Sequence, residues 1–252
     1  MKPFLLLAIR AEDAAADNEY ESFLAFSGLE ERDLRRTRLE RRALGDVDLR
    51  DWSGILLGGG PFNSTDPEAS KSLVQRRVEA DLRGLLERVV DADFPFLGAC
   101  YAIGTLGSHI GAVVDRRYAE PVGCVSVTLT REGHRDPLLG GLPATFDAFV
   151  GHKEALSCLP DHAVLLASSP TCPVQAFRIG RHVYATQFHP ELDAAGMCTR
   201  IDVYKHAGYF EPEQATELKA LAYRSKVVHP PAIVRRFVQL FSGAVPVASG
   251  ST

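Results

Sequence analysis

Short apolar runs that give way to loops recur along the first hundred residues. Phe4–Ile9 (FLLLAI) ends in a polar stretch, Trp52–Leu57 runs into Gly58-Gly59-Gly60-Pro61, and Phe94–Leu97 runs into Gly98-Ala99-Cys100. Continuous apolar character over so few residues predicts strands buried on both faces of a parallel sheet. Between the second and third runs, Leu73, Val74, Val78, Leu82, Leu85, Leu86 and Val89 repeat at helical spacing within Ser70–Val90. Strand, helix, strand in that order predicts a right-handed βαβ crossover.

The texture changes after Cys100. Ile103, Leu106 and Ile110 predict a short helix. The segments Val122–Thr130, Thr145–Val150, Val164–Ala167, Val174–Ile179 and His182–Phe188 then carry the β-branched, alternating character of strands. Tight turns such as Ile179-Gly180-Arg181 predict that these strands form an antiparallel portion joined to the parallel one. Capping signals and periodicity bring helices back over Ala194–Ala207, Pro212–Lys226 and Pro231–Phe241. The final residues, 244–252, are small and unpatterned and predict a disordered tail. No repeat, low-complexity segment or linker divides what precedes it, so residues 1–243 are expected to form one α/β domain.

Composition narrows the function classes. The 252 residues are 46% hydrophobic and 24% charged, the mix of a soluble globular chain. With Lys and Arg at 28 against Asp and Glu at 32, the net charge of −4 provides no basic footprint, so neither nucleic acid nor a membrane is expected as a partner. The local cluster LRRTRLERR, Leu34–Arg42, is flanked by acids and reads as a solvated face or strand edge. Five cysteines (Cys100, Cys124, Cys158, Cys172, Cys198) are scattered without a CxxC pair or zinc-ligand spacing, so no metal site is expected. The first apolar run has only six residues before Arg10, too few for a secretory core or a membrane span. The expected compartment is the reducing cytoplasm, where such cysteines are thiols.

Three loops leave the ends of apolar strands carrying reactive or polar groups, where open α/β sheets bind ligands. In FPFLGACYAIG, Cys100 sits between strand and helix on a sharp turn. Gly98 and Ala102, two places either side, are small enough for that bend, and the helix N-terminus favours the thiolate. In YATQFHPELD, His189 and Glu191 flank a proline that stiffens the loop, so the carboxylate can orient an imidazole that moves protons. In LLGGGPFNS, glycines let backbone N–H groups approach a ligand and suit an oxyanion hole. A phosphate loop is excluded because no GKS or GKT follows. Each loop alone has a bland reading: a buried cysteine, a turn with a helix N-terminal acid, a glycine turn. The other four cysteines are assigned the first of these.

Taken together, a Gly-Gly-Pro loop, a Gly-x-Cys elbow and a late His-Pro-Glu resemble the class I, triad-type glutamine amidotransferases, from Phe4 to at least Glu191. The similarity is greatest to stand-alone members like the glutaminase domain of GMP synthase. That resemblance implies a flavodoxin-like open, mostly parallel sheet flanked by helices with an antiparallel extension. It makes Cys100 the nucleophile, His189 the base and acid, Glu191 its orienting carboxylate, and the Gly59 or Gly60 and Tyr101 amides the oxyanion donors. VGHKEALSCLP resembles the family's substrate-side loop and implies His152 and Glu154 near the pocket. The family elbow reads Gly-x-Cys-x-Gly-x-Gln, whereas Ala102 and Gly104 stand at the last two marked positions. The missing glutamine removes a side chain that the family sets against the substrate amide.

The expected reaction is hydrolysis of glutamine to glutamate and ammonia through a thioester, with no metal and no organic cofactor. Two other readings remain: a γ-glutamyl hydrolase or peptidase using the same triad, and a silent amidotransferase-like binding protein. The absence of an ATP-pyrophosphatase loop implies that any use of the ammonia needs an acceptor-activating synthase partner. A homodimer stays open.

Overall fold

The apolar runs become the centre of a nine-stranded sheet. A computed structural model describes residues 2–243, so the predicted tail at 244–252 lies outside the described residues. In chain order the elements are β1 (Phe4–Ala8), α1 (Asp13–Ser27), β2 (Leu34–Arg38), β3 (Gly54–Leu57), α2 (Leu73–Asp91), β4 (Phe96–Ala99), α3 (Tyr101–His109), β5 (Val113–Asp115) and β6 (Glu120–Leu129). There follow α4 (Arg131–Arg135), β7 (Thr145–His152), β8 (Ala155–Cys158), β9 (Ala163–Ser168), β10 (Ala176–Ile179), β11 (Val183–Thr186), α5 (Ala194–Val203), α6 (Ala215–Arg224) and α7 (Pro231–Phe241). The sheet order is β2-β1-β3-β4-β11-β10-β9-β6-β7. The first five strands in that order pair in parallel and the rest antiparallel, which is the α/β sheet with an antiparallel extension read from the sequence. β5 and β8 form a separate two-stranded ladder.

The two-residue period of β1 divides its side chains between the two faces. Leu5 and Leu7 pack with Val78, Leu82 and Leu86 of α2, while Phe4 and Leu6 pack with Phe23 of α1 and Phe237 of α7. Each such fully buried side chain contributes roughly 1.5–3 kcal/mol. The arginine cluster forms the edge strand β2, where Arg36 and Arg38 pair with Asp17 and Asp13 of α1. Charge there guards an unpaired strand edge. Among the described residues, no helix is long and apolar enough to cross a membrane.

Helix α1 was not anticipated. Its inward positions are Ala15, Ala16, Glu19, Ser22, Phe23 and Ser27, so an apolar stripe is missing because half of that face is polar. Chain order reverses at β1, which lies between β2 and β3. Loops leaving the carboxyl ends of β1, β3, β4 and β11 therefore open onto one crevice, the general ligand position in such sheets.

Candidate active site

Cys100 links β4 to α3 with φ 50° and ψ −78°. That region disfavours an L-residue and costs on the order of 1–3 kcal/mol, so the surroundings must hold it. Its amide donates to the Thr186 carbonyl at 2.7 Å, tying the elbow to β11. Gly98 is needed for the reason its spacing implied: a Cβ there would collide with the Cβ of Ala102. Burial pushes the Cys100 thiol up to about 12, with partial relief from Arg10 and Arg200, against the pull toward thiolate expected of a helix N-terminus.

His189 follows β11 and borders the same cleft as Cys100. Its Nδ1 lies 2.8 Å from Oε1 of Glu191, a residue with no exposed surface. Behind this pair stands a network that sequence reasoning missed. Arg200 of α5 donates Nη2 to Glu191 Oε1 at 2.8 Å and places Nη1 3.0 Å from His189 Nδ1. Glu19 of α1 accepts from Arg10 Nε at 2.9 Å and lies 3.4 Å from Arg200 Nη2. Arg10 had one signal, its place directly after a buried strand. Glu19 and Arg200 had none beyond being charged residues in helices.

The network sets proton affinities. Burial lowers His189 to about 4, with Arg200 acting in the same direction and Glu191 opposing, so the ring is neutral near pH 7. Burial pushes Glu191 the other way, but His189 and Arg200 more than compensate and hold it well below the carboxylate range. Glu19 is raised by burial against the pull of Arg10 and Arg200. Nδ1 is contested. Carrying a proton it donates to Glu191 and leaves Nε2 free to accept; bare, it accepts from Arg200 and Nε2 holds the proton.

Gly59 lies against the imidazole, where a Cβ would come within 2.6 Å of His189 Cε1. Gly60 lines the recesses on both sides of Cys100. Among the described residues neither amide donates to a backbone carbonyl. Tyr101 opens α3, where first-turn amides have no intrahelical acceptor. All three amides are thus without a backbone acceptor among the described residues.

A second recess is bordered by Cys100, Asn63, His152, Lys153, Glu154 and Gln187. His152 at the end of β7 sets Nδ1 2.9 Å from the Glu154 carbonyl and Nε2 2.8 Å from Glu120 Oε2. Glu120 also accepts from Gln175 at 2.7 Å and from the Thr171 hydroxyl. Cys172 lies close enough for Glu120, His152 and its thiol to resemble a ligand set, each offering an atom within 4.8 Å of the others. Both Glu120 oxygens and both His152 nitrogens already have protein partners, so hydrogen bonding alone accounts for the cluster.

Glu154 does more than border the recess. Its Oε1 accepts from the Ser64 amide at 2.8 Å and the Ser64 hydroxyl at 3.0 Å, and its Oε2 from the Thr65 amide at 2.8 Å. The carboxylate thereby clamps the segment that follows the glycine loop. It also explains Gly104, since a Cβ there would collide with Glu154 Oε1. The space a side chain at position 104 would need is filled from β7's loop.

A family model described as glutamine amidotransferase class-I matches residues 31–198. One component of the glutamine-hydrolysing GMP synthase of Thermoplasma acidophilum is 31% identical over 158 residues, covering 62% of this chain and 72% of that protein. The glutamine-hydrolysing GMP synthase of Pasteurella multocida is 27% identical over 157 residues, and this chain spans only 27% of its length. Among solved structures, a glutamine amidotransferase from Thermotoga maritima superposes with a TM-score of 0.76 at 20% identity, covering 97% of this chain and all of that one. Another from Methylobacillus flagellatus gives 0.69 at 17% identity over 95% of each chain. At such identities the structural likeness speaks for the fold.

Proposed function

The chain belongs to the class I glutamine amidotransferase family, and from that membership we propose that it hydrolyses the glutamine side-chain amide to glutamate and ammonia, with Cys100 as nucleophile, His189 as base and acid, and Glu191 as the orienting carboxylate. The observation that carries this reading is the His189 Nδ1 contact with Glu191 at 2.8 Å beside a cleft that Cys100 shares. With Nδ1–H given to Glu191, Nε2 keeps its lone pair for the thiol proton.

Burial pushes the thiol up to about 12 and the imidazole down to about 4, and both shifts favour a neutral thiol and a neutral ring over a thiolate–imidazolium pair. Proton transfer to His189 accompanies attack of sulfur on the amide carbon. The oxyanion that forms is met by amides of the Gly59–Gly60 loop and of Tyr101, donors of a kind worth about 2.7–4 kcal/mol each. His189 returns its proton to nitrogen as the C–N bond breaks and ammonia leaves. Water then attacks the γ-glutamyl thioester, His189 takes its proton, and the C–S bond breaks to give glutamate and the thiol. The similarity to GMP synthase components supports a synthase partner that consumes the released nitrogen.

The test is covalent. A diazo-ketone analogue of glutamine is expected to leave one adduct, mapped by mass spectrometry to Cys100, and Cys100→Ser to lose at least about 10³-fold in turnover. Turnover persisting in Cys100→Ser would show the nucleophile to be wrongly assigned.

A further inference from the structure

Cys100, Gly60, Gly151 and Tyr209 stand where two recesses meet, and the two differ in chemistry. One is the polar recess bordered by Asn63, His152, Lys153, Glu154 and Gln187. The other is a cleft of about 60 Å³, open to solvent, whose walls include Val122, Val150, Leu192, Met197, Ile201 and Phe210, with the Arg10 and Arg200 side chains at its border. His189 borders the cleft and not the polar recess.

That asymmetry orients the substrate. Resting on the triad reading above, the leaving nitrogen must take its proton from His189, so it lies on the cleft side of the scissile carbon. The acyl chain, with its own charged end, then falls toward the polar recess. Ammonia makes no use of aliphatic and aromatic walls. An alkyl group on the nitrogen does, because apolar surface withdrawn from water there stabilises the bound state.

We infer that the cleft is a leaving-amine subsite and that the chain cleaves γ-glutamyl amides of small apolar primary amines in preference to free glutamine. The chemistry balances as before. Sulfur bonds to the γ-carbon, the C–N bond breaks, His189 protonates the nitrogen and the primary amine departs into the cleft. Water then cleaves the thioester to glutamate, returning the proton to sulfur through His189.

The experiment measures kcat/KM on the full chain for L-glutamine and for its N-methyl, N-ethyl, N-propyl and N-isobutyl amides, reading glutamate and amine release. The expected result is a rise of roughly fourfold per added methylene until the cleft is filled. Val122 and Phe210 are only half-buried, and Val122→Lys and Phe210→Ala are each expected to flatten that rise by lowering the alkylamide-to-glutamine ratio. Glutamine exceeding every alkylamide, or no amine released from any of them, overturns the inference. If glutamine is turned over in that event and the diazo-ketone still labels Cys100, the triad reading survives; if neither occurs, that reading falls first.

Discussion

Two buried polar clusters flank the elbow, and they are built on opposite principles. Behind His189, Arg10, Glu19, Glu191 and Arg200 form a network of ion pairs in which Glu19 Oε2, Glu191 Oε2 and Arg200 Nε lack hydrogen-bond partners among the described residues. On the other side, Glu120, His152 and Glu154 are held by hydrogen bonds from an amide side chain, hydroxyls and backbone amides, and no guanidinium pairs with either carboxylate among the described residues. Incomplete satisfaction in a low dielectric makes proton affinities sensitive to any charge nearby. In the second cluster the Glu120 and Glu154 oxygens and both His152 nitrogens are all paired, although Gln175 Oε1 beside them has no partner among the described residues. That pairing of the carboxylates and imidazole fixes geometry instead. The first cluster shifts the proton affinity of His189, the proposed proton acceptor, and the second holds a wall in place.

The comparison breaks most visibly at Arg200. Arg200→Met leaves Glu191 and Glu19 buried with one cation fewer, and losing one partner of a buried pair costs about 3–5 kcal/mol. Denaturant unfolding should register that loss. In the protein that remains folded, the cation that lowers His189 is gone, so the acid limb of kcat/KM should move to higher pH. A stability change under about 1 kcal/mol would mean that the network is not paired as described.

The same contrast separates what the sequence revealed from what it hid. The strands and the proposed reacting groups could be read from the sequence because each is a local pattern: an apolar run, a glycine two places before a cysteine, a proline between an acid and a histidine. Helix α1 was not, since Glu19 and Ser22 take inward positions that an amphipathic pattern assigns to apolar residues. Glu19 is buried only because Arg10 and Arg200 arrive from β1's loop and α5, a meeting far apart in the chain that no local window records. Gly104 was visible as a departure from the family elbow, but its compensation lies fifty residues on, in the carboxylate of Glu154.

That compensation gives the second break, smaller because it strikes the hydrogen-bonded side. Gly104→Gln drives a side chain into Glu154 Oε1 and should dislodge the Ser64 and Thr65 amides, a cost of about 1–3 kcal/mol by overpacking. The expected reading is a loss of stability of that size in denaturant unfolding, with kcat/KM falling as the Ser64–Thr65 segment is displaced. The double variant Gly104→Gln, Glu154→Ala removes the clash and should recover more activity than the separate effects predict, the non-additivity expected of neighbours. Strict additivity would show that the two positions do not share the space.

The finest distinction concerns pH, where the expected effect on the wild-type reaction is nearly none. In the proposed mechanism His189 must be neutral to accept the thiol proton, and with burial lowering it to about 4 it is neutral throughout the range in which an ordinary histidine titrates. Cys100 ionises only toward 12, so no thiolate limb enters near neutrality. Glu191 and Glu120, both below their usual 4.5, stay ionised. From about pH 5.5 to 8.5, kcat/KM should therefore vary by less than about twofold. Stability should behave differently. A histidine whose folded value lies below its unfolded 6.5 contributes stability that is complete above 6.5 and is lost as pH falls toward 4, because the unfolded chain binds the proton more readily. Activity per folded molecule should thus hold level over a range in which unfolding becomes easier. An activity limb near 6.5 would place His189 outside the influence of burial and Arg200, and the two clusters would no longer differ in what they do to a proton.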